Sequence, residues 1–147
     1  MKNSISDLIN KNILDGSEVV ISGEVNKEFV KKAESILGVS FPPSYSSFIE
    51  KFGSIEIDNR SFAGLFENEV GQDGDVVSFT LFQREDVGLP NKYIALDFQD
   101  GDYLLCIDTS IVNNENECPV VLVNPDSLES HKVNDSFYDY ITEYLDA

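Results

Sequence analysis

Residues 93–108 read YIALDFQDGDYLLCID, two apolar runs facing each other across Asp100-Gly101. Glycine accepts the positive φ that a tight turn requires, so this dipeptide between strand-forming runs predicts a β-hairpin. A third run, Pro119-Val120-Val121-Leu122-Val123, follows the polar loop at 113–117 and reads as another strand. Upstream, Ile55 and Ile57 alternate with Glu56 and Asp58, the two-residue period of a half-buried strand. Strands joined by short turns form antiparallel sheets. The second half of the chain is therefore read as mostly antiparallel sheet.

Before Ser54 the period is helical. Ile5, Leu8, Ile9 and Ile13 recur at helix spacing behind Ser4 and Ser6, either of which can cap the start. Phe29, Ala33, Ile36 and Leu37 repeat the pattern over residues 24–37, and Gly38 marks the end. Proline lacks an N–H donor, so Phe41-Pro42-Pro43 breaks the chain, and Pro43 opens a third helix with Tyr45, Phe48, Ile49 and Phe52 on one face. Residues 67–75 carry four acids with Gly71 and Gly74 and read as an exposed loop. Residues 76–86 fit two periods, alternating at Val77, Phe79 and Leu81 or sharing a helix face through Val77, Thr80, Leu81 and Arg84. The Leu89-Pro90 stop favours the helix. Asn134 or Asp135 is placed to cap a last helix with Phe137, Tyr140, Ile141 and Tyr144 facing inward. The fold class read here is α+β in one domain over residues 1–147: N-terminal helices packed on a mostly antiparallel sheet, with a C-terminal helix.

Charge is the strongest compositional signal. The 147 residues hold 27 acids and 10 bases, a net charge of −17. Residues 1–55 hold 7 acids and 6 bases, residues 56–118 hold 14 and 3, and residues 119–147 hold 6 and 1. Such a field repels nucleic acid and anionic lipid and accelerates encounter with a basic protein. It also serves as an ordinary solvated surface. Ten Phe and six Tyr supply a core that a disordered chain lacks. No apolar run approaches the ~20 residues of a membrane helix, and Lys2, Asp7 and Lys11 interrupt the opening segment where a secretory signal is apolar. The expected location is cytoplasmic.

Residues suited to catalysis are sparse. Cys106 and Cys118 form no CxxC pair and read as buried thiols, and His131 is the single histidine. Asp97, Asp100, Asp102 and Asp108 resemble a calcium loop, but glycine falls at its fifth position and Asp at its twelfth, where an EF-hand needs a ligand and Glu. No phosphate loop, HExxH pair or GxSxG elbow occurs. No catalytic residue, metal site or cofactor is assigned.

One run carries more. Residues 34–49 read ESILGVSFPPSYSSFI and lead to Phe52-Gly53. Glu, Leu-Gly, an apolar-Pro pair, then Tyr two residues short of Phe-Ile and a closing glycine resemble the signature of SUKH immunity proteins. The order Leu89-Pro90, Cys106-Ile107-Asp108-Thr109, Glu117-Cys118-Pro119 and Asp135-Ser136-Phe137 is similar as well. Phe41 stands where many members have Leu, and Ser54 where many have a second glycine; both substitutions concern packing. The resemblance covers about residues 25–145. It implies a non-catalytic bacterial protein that binds and neutralises a polymorphic toxin, often a nuclease. A related branch, which includes the yeast cell-wall synthesis regulator, implies the alternative of a scaffold or regulatory module for an endogenous partner.

Glu34 reads as a helix-surface residue, and Tyr45, Phe48 and Phe52 as packing. The expected contacts to a basic partner are Glu67, Glu69, Asp73 and Asp75 in the first acidic loop, Asp100 and Asp102 at the hairpin turn, and Glu115 and Glu117 in the second loop. Phe62 or Phe66 would anchor the complex, and Asp126 and Glu129 mark the alternative surface.

Overall fold

The computed structural model describes residues 4–58, 60–99 and 103–147. Helices α1 (Ile5–Leu14), α2 (Lys27–Leu37) and α3 (Pro43–Phe52) occupy the first third, as their 3.6-residue period requires. Ser4 caps α1, its Oγ accepting from the Asp7 N–H at 3.1 Å. The joint between α2 and α3 is closed by Glu34, which is more than a surface residue. Gly38 adopts φ 72°, and the N–H groups of Gly38 and Val39 return to the Glu34 carbonyl at 2.8 and 3.2 Å. The Glu34 carboxylate also accepts from the Phe41 N–H at 2.7 Å. The Glu-x-x-Leu-Gly spacing is thus a backbone device that turns the chain into Pro42.

Strands β1 (Val19–Ile21), β2 (Ile55–Ile57) and β3 (Arg60–Phe62) form one antiparallel sheet in that order. Strands β4 (Tyr93–Gln99), β5 (Tyr103–Asp108), β6 (Val120–Val123) and β7 (Ser130–Asn134) form a second, a four-stranded antiparallel meander. The predicted hairpin is β4–β5, paired from Tyr93↔Asp108 to Gln99↔Tyr103. Its turn, with Asp100, Gly101 and Asp102, lies outside the described residues. Residues 76–86 are helix α4 (Val76–Asp86), and α5 (Phe137–Asp146) closes the chain. Its cap is Ser136 rather than Asn134 or Asp135: the Ser136 Oγ accepts from the Asp139 N–H at 3.1 Å, while Asn134 is still in β7.

The two outer strands of the meander are treated differently. β4 carries a bulge between Ala95 and Asp97 that turns the Leu96 carbonyl outward to the Ala63 N–H at 3.2 Å. The Ala95 N–H, on the same outer side, donates to the Thr80 Oγ1 of α4 at 3.1 Å. That edge is covered. Among the described residues, β7, the opposite edge, has β6 as its only strand neighbour, and its residues are exposed or nearly so.

The main core gathers the helices on one face of the meander, with Tyr45 at its centre. Tyr45 is fully buried, stands edge-on to Phe137 at 5.0 Å and donates its O–H to the Ala63 carbonyl at 2.6 Å. Burial, and then the Asp75 charge, push its phenol well above the ordinary range. Phe48 stacks beside it and Phe52 packs against Phe48, as expected of core residues. A smaller cluster of Leu89, Tyr93, Ala95, Leu104, Cys106, Val121 and Val123 fills the other face. Of the two expected anchors for a partner, Phe62 is fully buried against Tyr140 and Tyr144 and belongs to the core, while Phe66 is half-buried. No helix is long and apolar enough to cross a membrane among the described residues.

Candidate functional site

An open cleft of about 1100 Å³ lies between the start of α3, the 111–117 loop, β7 and the start of α5. Its shape begins with a helix that cannot cap itself. Pro42 precedes α3 and provides no side-chain cap; Pro43 has no N–H, and the Tyr45 and Ser46 N–H groups return to the Pro42 carbonyl at 3.0 Å each, so the Ser44 N–H is the one that needs an acceptor from elsewhere. Glu117 supplies one from a distant loop. Its carboxylate accepts from the Ser44 N–H at 2.9 Å and the Ser44 Oγ at 2.6 Å, an anion at the positive end of a helix. The loop is held in turn by Asn113, whose Oδ1 accepts from the N–H groups of Glu115 and Glu117 at 2.8 and 3.0 Å. Glu117 is therefore committed to the wall, and Glu115 is left exposed beside it.

Asp108 sits at the end of β5, nearly buried. Its Oδ1 accepts from the N–H and Oγ of Ser110 at 3.0 and 2.6 Å, and Lys92 Nζ lies 3.9 Å from its other oxygen. Asp135 and Asp139 enter from the start of α5, and Lys132 from β7 is paired with Asp135 at 2.6 Å. This pairing, through the charge-assisted hydrogen bond first, holds the Asp135 carboxyl below its usual range. Five carboxylates thus line the cleft against Lys132 and His131. The cleft is suited to cationic groups.

The structure brings together only part of the predicted set. Glu115 and Glu117 are in the cleft. Glu67, Glu69 and Asp73 are exposed on the 67–75 loop and do not line it. Asp75 is the correction: it is fully buried and caps α4, accepting from Gly71, Gln72 and Ser78 N–H at 2.7, 2.8 and 2.9 Å. A buried carboxylate with three donors cannot meet a partner. Asp100 and Asp102 lie outside the described residues. Asp108, Asp135, Asp139 and β7 were not legible as site components, because the cleft is assembled from segments far apart in the chain.

The reactive side chains stay apart. His131 is exposed on β7, edge-on to Tyr103, while Cys106 is in the smaller core cluster and Cys118 in the main one. Burial pushes both thiols up, with help from Asp108 for Cys106 and from Glu117 and Asp108 for Cys118. A raised thiol holds little thiolate, the reactive form. We expect both cysteines of the folded protein to resist a water-soluble disulfide reagent at pH 7.5 and to react promptly in denaturant. Rapid titration of one equivalent in the native state would contradict this placement. Among the described residues, no group of three or more His, Cys, Asp or Glu could hold a metal ion. Arg60 bridges Asp97 at 3.1 Å and Tyr140 at 2.8 Å with Phe62 and Tyr144 against its guanidinium, a tie between β3, β4 and α5.

The family model described as SUKH_5, SMI1-KNR4 cell-wall, matches residues 1–146. No curated protein matches the chain.

Proposed function

Since the chain belongs to the SUKH_5 (SMI1-KNR4 cell-wall) family, we propose that it is an immunity protein that binds and neutralises a basic toxin domain, a nuclease by preference, without catalysis of its own. The family includes immunity proteins. The observation that carries the reading is the unneutralised charge. Ten bases can pair with at most ten of the 27 acids, and only one unit of the net −17 falls within residues 1–55. A nuclease grips phosphates with a basic face, and an acidic protein competes for that face as the nucleic acid does. The family description also names the cell wall, which keeps a scaffold for an endogenous partner as the second reading.

The test is protection. A basic nuclease domain taken from a reading frame that neighbours this gene, expressed with the chain, should leave cells viable and elute with it as one complex, and its nuclease activity should fall on titration with the chain. Cell death unaffected by the chain, with no complex formed, would refute the proposal.

A further inference from the structure

The two edges of the meander call for different explanations. β4 is sealed by α4 and by the chain at Ala63. β7 carries no such cover: no backbone hydrogen bond from Ser130–Asn134 to a described residue beyond β6 is present. An uncovered edge offers a row of N–H and C=O groups, and natural proteins guard such rows. The guard here is Lys132, and its charge is taken up by Asp135. Ser130, His131 and Lys132 also form a wall of the acidic cleft. The cleft is open along the β7 side, so a segment lying on that edge would have its side chains beside the cleft carboxylates.

We infer that β7 is a docking edge for an extended basic segment of the partner protein, which adds as a fifth strand and directs alternate Lys or Arg side chains into the cleft. The inference rests on the immunity reading for the identity of the partner, but the site has its own chemistry. Strand addition takes affinity from main-chain hydrogen bonds and specificity from alternate side chains. On a strand, every second residue faces the same way, so one face of a Lys-x-Lys-x-Lys segment would meet Glu115 and Asp135, the exposed carboxylates of the cleft, while the other remains in solvent.

The test uses the full chain and a seven-residue acetylated peptide alternating Lys and Thr, with a control peptide N-methylated at every second amide. Binding of the first should shift the amide signals of Ser130–Asn134 and slow their hydrogen exchange. Its affinity should fall by about tenfold between 50 and 200 mM salt, as expected for a contact of a few charges. The N-methylated peptide should bind at least about tenfold more weakly, because it loses the strand bonds and keeps every charge. Exposed Glu115→Gln, combined with Asp135→Asn, should weaken the first peptide several-fold without unfolding the chain. Equal affinity for the two peptides, or shifts confined to the Glu67–Glu69–Asp73 loop, would overturn the docking edge. The toxin separates the two readings. A double variant that still protects cells as well as the native chain counts against β7 and leaves immunity standing. A native chain that binds the peptide at β7 yet protects no cell supports the edge and counts against immunity.

Discussion

Gly64→Ala should abolish the cooperative fold, or lower its midpoint by 10 °C or more. A Cβ at Gly64 would run into the carbonyl oxygen of Gly53 and stand 2.9 Å from the carbonyl carbon of that residue and 3.4 Å from the Ser54 Cα. All three obstacles are backbone, so no side chain can swing aside. Nor can Gly53 retreat. It holds φ 75°, its N–H donates to Ile49 at 2.8 Å, and its oxygen accepts from the Leu65 N–H at 3.1 Å. Behind it lie the Gly23 carbonyl, the Ser22 Oγ and the Leu65 carbonyl, all close enough that a Cβ on Gly53 itself would clash.

Gly64 has its own tether, accepting from the Val76 N–H at 2.8 Å where α4 begins. The clash therefore falls where the end of α3, the exit from β1 and the entry to α4 cross. Overpacking by one methyl in a yielding core costs about 1–3 kcal/mol. Backbone against backbone should exceed about 4 kcal/mol, a large part of the 5–15 kcal/mol that holds a domain together. At about 2–4 °C per kcal/mol for a chain of this size, the stated loss follows. Thermal unfolding followed by circular dichroism measures it. A variant that melts within 2 °C of the native protein would show that the crossing is looser than described.

That crossing also shows what the sequence could and could not disclose. Gly64 reads as a break in a short apolar run, and its contact with Gly53 is invisible without the fold. Features set by local sequence were legible: the face of α3 from its period, the β4–β5 pairing from the Asp-Gly turn between apolar runs, and α4, whose period was ambiguous, from the Leu89-Pro90 stop. Strand β7 was not. Its residues, Ser-His-Lys-Val-Asn, show no apolar alternation, because an edge strand exposed along its length has no face to bury. Strand β1 was missed for a related reason, being three residues long with Val20 and Ile21 exposed. The candidate site was half legible. Abundance of acid pointed to loops, yet composition does not tell an acid that faces solvent from one that caps a helix. For Asp75 a signal existed: it immediately precedes the apolar start of α4, the usual position of an N-cap. For Glu117 none did, since the helix it caps begins more than seventy residues earlier.

The separation of Asp75 from its acidic neighbours sets up a paired result. Asp75→Ala removes a carboxylate that three backbone N–H groups share in a fully buried site. Hydrogen bonds to a charged group contribute about 1.5–3 kcal/mol, and loss of a cap costs up to about 2 kcal/mol. A fall of roughly 2–4 kcal/mol is expected, read as a lower midpoint in urea. Glu67→Gln, Glu69→Gln and Asp73→Asn together touch only exposed side chains, so stability should stay within about 0.5 kcal/mol. On the proposed immunity reading, their effect belongs to encounter with a basic toxin domain. Removing three negative charges from an acidic field should slow association with the toxin domain by about three- to tenfold at low salt and flatten its salt dependence. Dissociation should change less, since rim charges act on approach and buried contacts on residence. Stopped-flow association at two salt concentrations reads both effects, and Asp75→Ala, measured where it remains folded, should leave the on-rate unaltered. A triple variant that associates at the native rate, beside a Glu115→Gln variant that does not, would place the steering field over the cleft and leave the 67–75 loop as solvated surface.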